Sequence, residues 1–448
     1  MSETRWVAGV RALIADDDGR VLVLEQDGRT LLPSVEIEGT DDELNELGRA
    51  ALTALTGFGT VVVRSLVRSV DGEQQVAELG LELEPVATPS SPAAGAVRRT
   101  GEELAGAELA DDDRSLVGLH SADRPPPERP DWMRRGFFAE ASAWIDDALA
   151  SQGRERVGPV EQISNWCISS ILRAGTEAGR VYFKATADSP LFVDEGTVTR
   201  GLAKLLPGSV PAPIAIDAER RWMLLDEFGP LIGWKADLET RLDVLATFAR
   251  IQREAAPSTD ELLALGVFDR RPAWLAAEIE KLAGSAALLG LEAAEAEDFV
   301  GLVPRFVEAC ERLAAGAVPD SLVHGDLHLA NVAHDGDGYV FFDWTDACLT
   351  HPFFDLLVVL FEDDADLRRA LTNAYLGVWA DHASTRELRE LWRLAEPLAS
   401  LNQAVSYRSI LENVERGTAS ELEPMTAEWL RRALAAARAW SDDPEMGR

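Results

Sequence analysis

Short apolar runs broken by turn signals dominate the first 85 residues: VAGVRALIA ahead of DDDG, RVLVLEQ ahead of DG, then TVVVRSLVRSV, a second DG, and QQVAELGLELE. Runs of this length bounded by Asp-Gly pairs predict the strands of a small sheet. Between them, Thr40 to Leu55 carries leucines and alanines at helical spacing, with Asp41, Asp42 and Glu43 near its start, so one helix is expected to pack on that sheet.

From Pro85 to Gly106 the composition shifts to Ala, Pro, Ser, Thr and Gly, and a second breaker run, DRPPPERP, occupies Asp123 to Pro130. A domain boundary is expected there. Beyond it the pattern predicts an amphipathic helix over Trp132 to Ala150. Strands follow at Val157 to Ile163, Ile168 to Ala174 and Val181 to Ala185, with a Gly-bearing turn between the last two. A helix over Phe192 to Leu206 and strands at Pro213 to Asp217 and Arg221 to Asp226 come next, then Leu/Ala periodicity from Leu238 to Leu313, a short strand at Tyr339 to Phe342, and more helices. The resulting fold class is α+β: a small α+β domain over 1–125, a linker helix and small β-rich lobe over 126–229, and a large helical lobe over 230–448.

The chain of 448 residues has ample material for more than one core. Its formal charge of -34 argues against nucleic acid, because a phosphate-binding surface needs clustered Lys and Arg. No apolar run reaches the roughly 18 residues a membrane span requires. The amino-terminal MSETRWVAGV lacks a basic and apolar leader pattern, and Cys167, Cys310 and Cys348 are scattered singly, so a reducing cytoplasm is expected. The basic residues are mostly arginine; the lysines are Lys184, Lys204, Lys235 and Lys281.

The chemistry concentrates in LVHGDLHLANVAHDGDGYVFFDW, Leu322 to Trp344. Asp326 and Asn331 share one loop anchored by Leu322, Val323, Leu327 and Leu329, and a hairpin through the Asp335 to Gly338 turn would return Asp343 to the same place. Three oxygen-bearing side chains converging this way suit a hard divalent cation, with one carboxylate left to orient a hydroxyl nucleophile. A single Asp in a loop is more often a turn former or helix cap, so the argument rests on the ordered combination.

His324-Gly325-Asp326 with Asn331, followed by Phe341-Phe342-Asp343-Trp344, resembles the signature of the aminoglycoside phosphotransferase-like family, distant relatives of protein kinases. The resemblance implies a bilobal protein-kinase-like fold and an ATP- and Mg2+-dependent transfer of the γ-phosphoryl group to a hydroxyl of a small molecule. Aminoglycosides, amino sugars, choline-like alcohols and homoserine are acceptors found on that scaffold. It implies that Asp326 is the catalytic carboxylate, that Asn331 and Asp343 are magnesium ligands, and that Lys184, at the end of Arg180-Val181-Tyr182-Phe183-Lys184, holds the nucleotide phosphates. Glu195 corresponds to the helix glutamate that pairs with that lysine, with Asp194 its rival. Asp226 to Phe228 corresponds to the hinge that accepts adenine, and Ser164 and Asn165 belong to the turn facing the phosphates, which lacks the glycines of a protein kinase. Gly325 replaces the arginine of the protein-kinase His-Arg-Asp motif, which argues against a protein kinase switched by activation-loop phosphorylation.

Downstream, Asp355 is expected to support the catalytic loop, Asp346 either contacts substrate or sits in a solvated turn, His328 and His334 are structural, and Asn402 to Tyr407 line the acceptor pocket. The amino-terminal unit weakly resembles a Nudix hydrolase through Leu32-Pro33 and a helix ending at Thr56-Gly57. Ala50, Ala51, Ala54 and Leu55 stand where that family has an arginine and three glutamates, so the resemblance implies an inactive docking or regulatory domain. The rival functional reading is a pseudokinase or ligand-binding regulator.

Overall fold

A computed structural model describes residues 5–440 apart from 17, 41, 42, 73, 88–92, 122, 337, 416 and 439. Asp41 and Asp42 of the expected helix start and Asp337 of the Asp335 to Gly338 turn lie outside the described residues. The chain divides into two compact units, Met1–Ala187 with Val414–Ser420, and Asp188–Asn413 with Glu421–Arg448. Among the described residues no helix is long and apolar enough to cross a membrane.

The first unit contains β1 (Arg5–Ile14), β2 (Val21–Gln26), β3 (Arg29–Leu31), β4 (Ser34–Thr40), α1 (Leu44–Thr56), β5 (Gly59–Asp71), β6 (Val76–Ala87), β7 (Ala96–Arg99), α2 (Gly101–Ala105), α3 (Asp111–Ser121), α4 (Phe137–Ser151), β8 (Arg156–Asn165), β9 (Ser169–Thr176) and β10 (Gly179–Thr186). Its amino-terminal part is a mixed sheet of order β4-β1-β6-β5 beside a smaller sheet of order β3-β2-β7. Alternation along β1 sends Ala8, Val10, Ala12 and Ile14 into one apolar cluster with Leu44 and Leu52 of α1, and Leu13 into another with Leu104 and Leu116. The stretch of shifted composition from Pro85 to Gly106 carries structure among its described residues: Val97 of β7 pairs with Val23 of β2, and a capping box between Thr100 and Glu103 starts α2. The compositional shift there marks breakers between short elements.

β8, β9 and β10 form an antiparallel meander. Ser164 and Asn165, expected in the β8–β9 turn, instead pair with Ile171 and Ser170 in the ladder, and the turn falls on 166–168. Side-chain amides decide this: Asn165 Nδ2 donates to the Val62 and Val63 carbonyls at 3.1 and 2.9 Å, and Gln162 exchanges two bonds with the Val62 backbone at 2.7 and 2.9 Å.

The second unit contains α5 (Glu195–Leu205), β11 (Ala215–Asp217), β12 (Trp222–Asp226), α6 (Leu238–Ala255), α7 (Thr259–Ala264), β13 (Phe268–Asp269), α8 (Pro272–Gly284), α9 (Ala293–Ala314), β14 (Ser321–Val323), β15 (Val332–Asp335), β16 (Gly338–Phe341), β17 (Cys348–Thr350), α10 (Leu357–Leu360), α11 (Ala365–Gly377), α12 (Thr385–Asn413) and α13 (Met425–Arg438). The helices share one core in which Phe248, Phe341, Trp344, Leu349, Phe353, Trp379 and Leu398 are buried. Two small β pieces are set into it: β13-β17-β14, and the β15–β16 hairpin. These carry the residues of interest.

Candidate active site

β14 runs antiparallel to β17 with Val323 opposite Cys348, so the loop that begins at His324 emerges from the middle of the core. His324 is fully buried, its ring 4.6 Å from that of Trp344. Burial pushes its pKa down. Its Nε2–H donates to the Phe342 carbonyl at 2.8 Å, leaving Nδ1 to accept the Asp326 backbone N–H at 3.4 Å. His324 thus ties the loop holding Asp326 to the strand end holding Asp343.

Gly325 has φ +84°, and a Cβ there would lie 2.4 Å from the Asp346 carbonyl oxygen. Only glycine fits, which gives a physical reason for its place between His324 and Asp326. Its carbonyl accepts a bond from Gln403 Nε2 of α12, so Gln403 braces the loop from behind. Asp355 holds it from below: its Oδ2 accepts the His324 N–H and Gln252 Nε2, both at 2.8 Å, and its Oδ1 accepts the Gly325 N–H at 3.0 Å. Burial pushes the Asp355 carboxyl up to about 7 against the pull of the two backbone N–H groups. Tyr375 in turn bonds Gln252 and, at 2.6 Å, the Pro352 carbonyl.

The Asp326 side chain is 49% exposed. Asn331, on a 3-10 turn over Leu329–Asn331, donates through Nδ2 to the Asp326 carbonyl at 3.0 Å and to Asp326 Oδ2 at 3.4 Å. Its amide nitrogen being committed to Asp326, its amide oxygen is turned away as a hard acceptor. Phe342 N–H donates to the Asn331 carbonyl at 3.1 Å, and the hairpin pairs Val332 with Phe341, so Asp343 returns beside Asn331. Asp343 has φ +67°, an uncommon backbone state for a residue that is not glycine.

Thr345 stands out by no motif of its own. Its hydroxyl bridges Asp343 Oδ1 and Glu195 Oε2, each at 3.0 Å, and so places the first residue of α5 next to the Asp343 carboxylate. Asp194 is the N-cap, accepting from Thr197 Oγ1 at 2.5 Å and from Thr197 N–H at 3.4 Å, while Glu195 is buried and points to Thr345. A Thr two residues after Asp343 was the only signal available in the sequence.

His328, expected to be structural, lies 3.5 Å from Asp326 Oδ2 and stacks on Trp234 with ring centroids 4.6 Å apart. Burial disfavours the His328 cation, but hydrogen bonding to Asp326 and the charges of Asp326 and Asp343 outweigh it and push the pKa up. Asp226 ends β12 exposed to solvent, and the segment after it lies along β15: Phe228 packs on Phe342 at 5.0 Å, Gly229 approaches the His334 carbonyl so closely that a Cβ would sit 2.1 Å from it, and His334 N–H bonds the Pro230 carbonyl at 2.9 Å. Asn402, Gln403 and Ser406 are buried, and two of them serve internal contacts: Gln403 to Gly325, and Ser406 to Arg270 at 2.9 Å.

Asp326, Asn331, Asp343, Glu195, Asp226 and Phe228 therefore belong to the second unit. Lys184, Ser164 and Asn165 belong to the first, where Lys184 stands buried on β10 opposite Ile171 of β9. Among the described residues no group of three or more His, Cys, Asp or Glu side chains could hold a metal by itself. The amide oxygen of Asn331 and the carboxylate of Asp343 are a hard, sparse oxygen set, of the kind that suits Mg2+ bound jointly by protein and nucleotide phosphates.

Residues 172–388 match the family described as Phosphotransferase enzyme family. No curated protein matches the chain. Solved structures similar to it include a choline/ethanolamine kinase family protein from Mesorhizobium loti, at 18% identity over 69% of this chain and 96% of that one, with a TM-score of 0.49. A choline kinase from Streptococcus pneumoniae is 15% identical over 67% of this chain and 99% of that one, TM-score 0.48. The GDP complex of aminoglycoside 2'-phosphotransferase-IIIa is 14% identical over 66% and 98%, TM-score 0.45.

Proposed function

We propose that this chain moves the γ-phosphoryl group of ATP, bound with Mg2+, to a hydroxyl of a small molecule, a reading supported by the match of residues 172–388 to the phosphotransferase enzyme family. The observation that carries the proposal is the joined set Asp326–Asn331 and Asp343–Thr345–Glu195, held on a loop whose own polar groups are satisfied from behind by Asp355 and Gln403. Phosphoryl transfer needs little covalent chemistry from a protein; it needs positioning and charge neutralisation, which such a rigid set supplies.

Asp326, half exposed, orients the acceptor hydroxyl and takes its proton late in the transfer. Asn331 and Asp343 would hold the cation, which when bound would neutralise charge on the phosphate oxygens. Lys184 grips the non-transferred phosphates, and the backbone of Asp226 to Phe228 accepts the adenine. His328, whose pKa is pushed up by its hydrogen bond to Asp326, adds an N–H donor at the same end of the loop. The acidic surface favours an amine-bearing acceptor such as an amino sugar or aminoglycoside, and the residues 1–125 serve as a docking or regulatory domain. Cys167, Cys310 and Cys348 are buried and outside any disulfide, which fits a reducing cytoplasm.

The test is ADP release by the purified chain with Mg-ATP and a panel of hydroxylated amines and sugars, paired with calorimetric titration of Mg-ATP. Asp326→Ala should bind Mg-ATP as the wild type does while turnover falls by orders of magnitude. Wild-type turnover in that variant would remove Asp326 from the mechanism. Mg-ATP binding with no transfer to any acceptor would make the chain a nucleotide-binding regulator instead.

A further inference from the structure

The three residues just before α5 are held by two arginines through successive backbone carbonyls. Arg270 Nη2 bonds the Leu191 carbonyl, and Arg221 Nη2 bonds the carbonyls of Phe192, at 3.0 Å, and Val193. From the other side Val193 N–H donates to the Thr345 carbonyl at 3.0 Å. Thr345 is the residue whose hydroxyl bridges Glu195 and Asp343. Segment 191–193 is therefore fastened at every residue, and its position fixes where Glu195 stands relative to Asp343.

Neither arginine is placed there without cost. Arg270 is 1% exposed, and its guanidinium bonds neutral oxygens, the Leu191 carbonyl and Ser406 Oγ, with the Trp274 ring 5.6 Å away and Nε left without a partner. A cation buried among neutral acceptors is expensive, and a hydrophobic residue would fill the same volume more cheaply. Arg221 reaches its carbonyls from a backbone at φ +56° in the turn between β11 and β12. Two unfavourable local choices converge on one three-residue segment, as expected where geometry is selected over stability.

We propose that Arg270 and Arg221 are positioning residues for the phosphotransfer site: by clamping the 191–193 carbonyls they set Glu195 against Thr345, and so set the carboxylate of Asp343 that would face the cation. The guanidinium of Arg270 also joins α12, through Ser406, to the segment that carries Glu195, so a change at the α12 end of the pocket is transmitted to the cation side. A guanidinium is required because its Nη1 and Nη2 hold two separated acceptors in one fixed planar geometry, whereas an ammonium is a compact point donor. This inference rests on the proposed phosphotransferase reading.

The experiment measures Mg2+-dependent ADP binding by calorimetry and basal Mg-ATP hydrolysis for the wild type and for Arg270→Lys, Arg270→Met and Arg221→Ala, with melting temperatures recorded without metal or nucleotide. A wild type that binds neither Mg-ADP nor Mg-ATP refutes the phosphotransferase reading itself. Given wild-type binding, Arg270→Met and Arg221→Ala should raise the Mg2+ concentration for half-saturation by about tenfold, the scale expected for losing hydrogen bonds from a charged donor. ADP binding in the absence of Mg2+ should be unchanged, which a merely structural loss would not produce. Arg270→Lys, which keeps the charge but not the fork, should recover only part of the Mg2+ affinity. Should Arg270→Met not fold, Arg221→Ala, whose side chain lies at a hairpin turn, decides alone. Variants with wild-type Mg2+ half-saturation, or with equal losses of metal-dependent and metal-free binding, would overturn the inference.

Discussion

Asp355→Asn tests how the catalytic loop is held. The carboxylate accepts three N–H groups, two at Oδ2 (His324 N and Gln252 Nε2, 2.8 Å each) and one at Oδ1 (Gly325 N, 3.0 Å). An asparagine of the same shape keeps at best the pair at the Oδ2 position, and its NH2 then faces the Gly325 N–H, donor against donor. Losing one bond to a charged acceptor and leaving a buried N–H unsatisfied costs about 3–5 kcal/mol, and relief from burying a charge returns part of it, for a net of about 2–4 kcal/mol. At about 2–4 °C per kcal/mol for a unit of this size, the melting temperature should fall by roughly 5–15 °C. Gly325 directly precedes Asp326, so the same change should move the carboxylate and lower turnover by about 10- to 100-fold. Differential scanning calorimetry and ADP release on the same preparation read both effects. A variant melting within about 1 °C of wild type with full turnover would refute the idea that Asp355 holds the loop.

Gly325→Ala places a side chain at φ +84° with its Cβ 2.4 Å from the Asp346 carbonyl oxygen, so the loop must move. Turnover should drop by about 100-fold or more while circular dichroism shows a folded chain, and an active variant would show that the loop has slack. His351 is buried and pushed down to about 3, below its ordinary value near 6.5, so the folded state binds fewer protons than the unfolded one in that interval. Its contribution is complete above pH 6.5 and is lost as pH falls toward 3. His351→Asn keeps a residue able to cap the turn where His351 Nδ1 accepts the Phe353 N–H at 3.3 Å, and removes the titration. Relative to wild type, the variant should gain about 2–3 kcal/mol between pH 6.5 and 4.5, seen as converging or crossing urea midpoints; parallel pH profiles would rule out a buried neutral His351.

What was legible in the sequence is what lies close together along it. His324, Gly325, Asp326, Asn331 and Asp343 fall within one loop and one hairpin, and the strand-turn-strand pattern around the Asp335 to Gly338 turn was enough to bring them together. The elements read from apolar periodicity are present near their expected places, from the β1 run to the helix beginning at Glu195. The short β7, α2 and α3 were not legible, because a few residues such as AVRR acquire strand character only by pairing with β2.

The amino-acid sequence alone determined the candidate set and its local frame: period, turn residues and side-chain chemistry are properties of neighbours. Only tertiary structure decided what holds that set still. Thr345 joins Asp343 to Glu195, Gln403 reaches Gly325 from α12, Gln252 and Asp355 meet beneath His324, and Arg270 spans Leu191 and Ser406. Each of these is a polar bond between residues far apart in the chain, made because a buried donor or acceptor must find a partner wherever packing brings one. Pattern along the chain carries no record of such pairings. The same cause moved Ser164 and Asn165 out of the turn expected for them, since the Asn165 amide was claimed by the carbonyls of Val62 and Val63.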